Sequence, residues 1–131
     1  MMRKILHEER IHPAIRDAIA GNHSDIVREV EAAAAANDVV VVGMKQNPVV
    51  KQARKALAAR SIAYAYLEYG SYLSDWRRRN ALKMWSGWPT FPMIFVRGVL
   101  VGGASNLDAL IANGELSRLL AAPREMSRAP G

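Results

Sequence analysis

The chain has 131 residues, half of them hydrophobic, and its 18 Lys and Arg against 12 Asp and Glu give a formal net charge of +6. That length suits one compact domain, able to bury roughly two thirds of its unfolded surface without a disulfide or metal staple. The absence of any cysteine excludes a disulfide framework, a cysteine-ligated zinc site and a cysteine-ligated iron–sulfur cluster on this chain alone.

The opening stretch MMRKILHEERIHP is charged throughout and lacks the unbroken apolar segment of a secretory signal. No apolar run approaches the length that spans a bilayer. A cytoplasmic, non-membrane protein is the expectation. The pattern predicts a short helix from about Ile11 to Asn22, with Pro13 in its first turn and Gly21-Asn22 stopping it. Ser24 reads as the cap of a second helix, striped by Ile26, Val27, Val30, Ala33 and Ala34 and stopped at Asn37.

Val39 to Val42 are β-branched and apolar on both faces, which predicts a buried strand. Asn47-Pro48 then opens a helix, because Asn caps well and Pro at the first helical position has no N–H to leave unpaired. Val50, Ala53, Leu57 and Ala58 form its core face, and Lys51, Arg54 and Lys55 point outward. Ile62 to Leu67 alternates enough to be a second strand. A third helix runs from about Ser74, its expected cap, to Ser86. It carries Arg77, Arg78, Arg79 and Lys83, a basic cluster without interleaved aromatics. That reads as a solvated helix face, and nucleic acid is not the expected partner.

FPMIFV and VLVGG are two strands separated by Arg97-Gly98, a spacing that suits a tight hairpin. SNLD has the form of a capping box, with Ser105 answered by Asp108 three residues on. Gly114 breaks that helix, Leu116, Leu119 and Leu120 suggest a last short one, and residues 122–131 are expected to fray. The element order implies an α/β fold with a mixed four-stranded sheet and helices on both faces.

Three features offer chemistry. Asn47-Pro48 leaves free N–H groups and the positive end of a helix dipole, a field that favours an anion and would stabilise a cysteine thiolate. Asn47 supplies no nucleophile of its own. In WPTFP, residues 88–92, the Phe91–Pro92 bond is expected to be cis, presenting the backbone of Phe91 to an extended ligand. Gly102 and Gly103 permit close backbone approach, and Ser105 and Asn106 offer hydroxyl, amide and N–H groups to a carboxylate. His7, His12 and His23 lack metal-ligand spacing, so no metal site is expected. No phosphate loop, Ser–His–Asp arrangement or catalytic carboxylate pair is visible.

Together, in this order and spacing, these stretches resemble the glutaredoxin family of the thioredoxin fold, and WSGWPTFPMIFVRGVLVGG is especially similar to its monothiol type. The resemblance covers about Asp38 to Leu120. The family's Cys-Pro-Tyr-Cys or Cys-Gly-Phe-Ser motif falls on Asn47-Pro48-Val49-Val50, so Asn47 and Val50 occupy the cysteine positions. Its Thr-Val-Pro loop falls on Thr90-Phe91-Pro92, and its Gly-Gly-Cys-Asp stretch on Gly102-Gly103-Ala104-Ser105. The organisation implied is a helical extension over 1–37, a glutaredoxin-like domain over 38–121 and a flexible tail over 122–131. The extension is expected to cover a sheet edge or to form a homodimer contact.

What the resemblance implies is glutathione, or a glutathionylated or extended peptide, as ligand and partner. Its backbone would pair with Phe91 beside Pro92. Gly102, Gly103, Ser105 and Asn106 would meet the γ-glutamyl end, Arg79 and Lys83 would approach the glycyl carboxylate, and Lys45 would precede the active-site turn. With both cysteines replaced, neither a thiol–disulfide cycle nor cluster sharing is expected, and no covalent cofactor. Ser105 stands where the family clamps the glutathione amine with Asp, which lowers the expected affinity. Two alternatives remain open: a protein-interaction or structural module without glutathione, and an enzyme using bound glutathione's thiol, with Tyr69, Tyr72 or Ser86 assisting.

Overall fold

The computed structural model describes residues 3–122. A single 3-10 turn, Glu8–Arg10, precedes helices α1 (Pro13–Gly21) and α2 (Ser24–Ala36). There follow β1 (Val39–Gly43), α3 (Pro48–Ala59), β2 (Ala65–Glu68), α4 (Trp76–Ser86), β3 (Met93–Val96), β4 (Val99–Gly102), α5 (Ala104–Ala112) and α6 (Glu115–Ala121). The strands lie in the order β2-β1-β3-β4. β1 pairs parallel with β2, with Val40 opposite Ala65, and antiparallel with β3, with Val41 opposite Ile94. β3 and β4 close an antiparallel hairpin. At its turn Arg97 and Gly98 both have positive φ, 53° and 80°, as a two-residue primed turn requires.

The two-residue repeat of a strand divides the core. Val40, Val42, Met93 and Phe95 face α2 and α4, where Ile26, Val30 and Leu82 meet them. Val39, Val41, Ile94 and Val96 face α3, α5 and α6, against Ala53, Leu57, Leu107 and Leu116. The fold is thioredoxin-like, an α/β mixed sheet flanked by helices on both sides, with the helical segment at the N-terminus. Its second helix belongs to the core, since Ile26 and Val30 are fully buried. Its first helix buries no residue.

Several expected boundaries move, each for a local reason. His23, not Ser24, holds the position before α2, and its backbone is left-handed. α4 starts at Trp76 because Asp75 is also left-handed, while the Ser74 hydroxyl accepts from the Ser71 amide in the loop. β2 starts at Ala65 rather than Ile62. Ile62 is still closing α3, its amide bonded to the Leu57 carbonyl at 3.0 Å, and β1 offers its first partner at Ala65. Ala58 is exposed. Arg54 folds back over the Tyr66 ring at 3.9 Å from its centroid and donates to the Tyr64 hydroxyl. The tail from residue 123 lies outside the described residues.

Candidate functional site

The turn that follows β1 is held from two sides. The Lys45 amide donates to the Gly70 carbonyl at 2.7 Å, and the Tyr69 amide donates to the Gly43 carbonyl at 2.9 Å. Gly43 is required where β1 passes beneath α3, for a Cβ there would lie 2.6 Å from a Val50 methyl. α3 then opens with Asn47 as its cap. Asn47 Oδ1 accepts from the amides of Val49 (2.9 Å) and Val50 (3.1 Å). The donors that would stabilise an anion at this helix end are therefore engaged by the amide oxygen of Asn47 itself. Val50, at the second cysteine position, is a buried core residue.

Across from this helix start, the Phe91–Pro92 peptide is cis. Phe91, Pro92, Gly103, Ser105 and Asn106 line a groove of about 240 Å³. Val49 and Gln52 of α3, together with Trp88, Thr90, Ala104 and Asp108, complete its walls. Trp88 Nε1 is buried in that wall with no hydrogen-bond partner among the described residues.

The far side of the groove is set by α5. Gly103, not Ser105, precedes this helix, and the Asn106 side chain closes its first turn by accepting from the Gly103 amide at 3.0 Å. Gly102 makes that possible. Its φ is +118°, and a Cβ would stand 2.5 Å from Asn106 Oδ1 and 2.6 Å from Asn106 Cγ. Gly102→Ala should strain the backbone and displace Asn106, costing about 2–4 kcal/mol of stability. Urea unfolding measures it, and a loss under about 0.5 kcal/mol, the range of an ordinary surface substitution, would show that the turn relaxes freely.

The other expected site residues fall differently. Lys83 is half-buried beside the groove, its Nζ 5.8 Å from the Phe91 ring centroid. Lys45 is exposed on the turn and does not line the groove. Arg79 is 6% exposed, and its Nη1 donates to the carbonyls of Tyr69 (2.9 Å) and Ser74 (2.5 Å). Tyr69, Tyr72 and Ser86 are absent from the lining. The Tyr69 hydroxyl donates to Glu29, and burial followed by that bond raises its pKa.

Val49, Gln52 and Asp108 are lining residues that motif reading missed. Helical spacing carried the signal: Val49 and Gln52 are three apart, off the core stripe of α3, and Asp108 is three beyond Ser105. No group of three or more metal-ligating side chains occurs among the described residues, and none of the helices there is long and apolar enough to cross a membrane.

The glutaredoxin family model matches residues 39–101. A glutaredoxin-like protein of Dictyostelium discoideum is 43% identical over 102 residues, 78% of this chain and 83% of that protein. Monothiol glutaredoxin-4 of Schizosaccharomyces pombe is 41% identical over 56 residues, 41% of this chain and 23% of that protein. A buckwheat glutaredoxin–glutathione complex superposes with a TM-score of 0.66 at 17% identity, covering 76% of this chain and 91% of that one. The chain belongs to the glutaredoxin family, with monothiol-type relatives. It contains no cysteine. Without a thiol it cannot form a mixed disulfide itself, so the conventional thiol–disulfide cycle is absent from this chain.

Proposed function

We propose that this protein binds glutathione, or an extended peptide carrying it, in the groove between the Phe91–Pro92 loop and the start of α5, without a redox cycle of its own. One observation carries the reading: the cis Phe91–Pro92 peptide and the Gly103–Asn106 turn line the same groove, with the start of α3 as its third wall. Phe91 supplies backbone groups suited to an extended peptide, and the first amides of α5 suit a carboxylate. A buckwheat relative of the same fold is solved in complex with glutathione. Lys83 stands beside Phe91, in place to attract the ligand's second carboxylate. Lys45 and Arg79 border the site at one remove, through the turn and loop that they hold. We place the protein in the cytoplasm.

A second reading has its own observation. Ile19 of α1 is 52% exposed and lines an apolar cleft together with Met84 of α4, which is 67% exposed. That surface suits a protein contact, including a homodimer through the N-terminal helices.

Titration of labelled protein with reduced glutathione to millimolar concentration, followed by NMR, tests the first reading. Saturable shifts are expected at Val49, Phe91 and Gly102 to Asn106. Spectra that stay unchanged there would end the glutathione reading and leave the apolar surface as the functional one.

A further inference from the structure

All three histidines of the chain stand at the residue that precedes a helical element: His7 before the Glu8–Arg10 turn, His12 before α1 and His23 before α2. Two of them are caps. His12 Nδ1 accepts from the Ala14 amide at 3.0 Å, and His7 Nδ1 accepts from the Glu9 amide at 3.4 Å. A ring nitrogen accepts only while it carries no proton, so each cap exists only in the neutral imidazole. A proton turns the acceptor into a donor and places a positive charge at the positive end of the helix.

Little else holds this segment. α1 has nine residues and buries none of them, and a helix that short is marginal on its own in water. Among the described residues, one hydrogen bond joins residues 3–22 to the rest of the protein, from Arg3 Nη1 to the Ser86 carbonyl at 3.2 Å. α1 otherwise forms one wall of the apolar cleft, sharing its lining with α2 and α4. At the far end His23 has a left-handed backbone, φ 48°, between α1 and the buried α2.

The charges around the caps place the dependence on His12. Arg16, one turn on, donates through Nε to the Ile11 carbonyl at 2.8 Å, so a second cation at His12 is disfavoured. Glu8, Glu9 and Asp17 of the same segment make no ion pair with His12 among the described residues. A protonated His7 has Glu9 Oε2 at 4.0 Å as counter-ion, which offsets part of its lost cap. What α2 and α4 bring to the cleft is uncharged: Ser24, Val27, Ala81, Met84 and Trp85.

We infer that residues 3–22 form a pH-sensitive arm, closed along the cleft while His12 is neutral and released, with His23 as hinge, when mild acid protonates that ring. The closed arm binds fewer protons than the open one, so its stability rises with pH. It is present near pH 8 and lost toward about pH 5, the window in which histidine ordinarily changes charge. The lost acceptor and the misplaced charge together shift the closed-to-open ratio by roughly ten-fold. Release removes one wall of the cleft and uncovers Met84 and Trp85, away from the groove beside Phe91 and Pro92.

The test follows the full chain by NMR from about pH 8 to about pH 5, reading the helical signals of Ala14 to Ala20 and the Trp85 indole. His12→Asn is measured beside it. That variant copies the Asn47-Pro48 cap of α3, whose amide oxygen has no proton to gain. In the wild type the helical signals should fade on acidification while Trp85 shifts. His12→Asn should stay closed throughout, and His12→Ala should be partly open even at the upper end. Unchanged wild-type signals would overturn the arm, and fading in His12→Asn to the same extent would overturn the role of His12. Amides of Ile26, Val41 and Leu107 are expected to hold still. Their loss together with α1 would mean general acid unfolding and would overturn the arm as a separate unit.

Discussion

Asn47→Cys is expected to create a thiol that titrates well below the ordinary cysteine value of about 8.5, in the range of about 3.5–7.5 found at helix starts. The wild-type chain has no thiol at all, so any alkylation or mixed-disulfide formation reports this position alone. Asn47 Oδ1 now accepts from the Val49 and Val50 amides, and a thiolate at the same place would inherit both donors together with the field of the helix end. The cost is the cap. Replacing a good N-cap loses about 1 kcal/mol of stability, which the two-sided core under α3 can absorb. Iodoacetamide alkylation as a function of pH gives the value directly. An inflection near the ordinary thiol range would mean that the helix start no longer provides an anion site, even with its native cap removed.

Arg79→Leu is expected to destabilise the protein by about 2–4 kcal/mol, more than a surface arginine would. The Arg79 guanidinium is buried and spans the Tyr69 and Ser74 carbonyls, so its removal takes the donor from a buried acceptor at Tyr69 and a part-buried one at Ser74. The consequence reaches the functional turn, because Tyr69 and Gly70 pair with Gly43 and Lys45. Amide exchange at Lys45 should therefore accelerate in Arg79→Leu. Arg79→Lys, which keeps the charge but not the fork of donors, should lie between. Unchanged urea stability combined with weakened glutathione shifts would assign Arg79 to the ligand instead.

This arginine shows where a sequence pattern stops being informative. In Arg77-Arg78-Arg79 three identical side chains stand in a row, and composition reads the run as solvated. The structure buries only the third, because Arg79 and Leu82 fall three apart on the side of α4 that meets the sheet. The same limit applies to Ser24, Ser74 and Ser105. Each has the chemistry of a helix cap, yet His23, Asp75 and Gly103 take the respective positions. Caps are chosen by backbone angles fixed elsewhere: His23 and Asp75 adopt positive φ, and Gly103 follows the turn set by Gly102.

Other parts were legible because their causes are local. The Val39 to Val42 run, the Asn47-Pro48 cap, the Arg97-Gly98 hairpin and the alternation that splits the core between two helix layers all follow from residues near one another in sequence. So did the family, since its motifs are short stretches kept in order. The sequence alone also determined that no thiol chemistry is available, for that depends only on which side chains are present. The tertiary structure decided which residues face the groove. Helix α3 ends about thirty residues before the Phe91–Pro92 loop, α5 starts about a dozen after it, and the three meet only after the sheet forms. Their meeting makes Asp108 the one charged side chain lining the groove among the described residues, while Arg79 bonds the Tyr69 and Ser74 carbonyls. Side-chain direction across such distances is set by packing, and no local pattern encodes it.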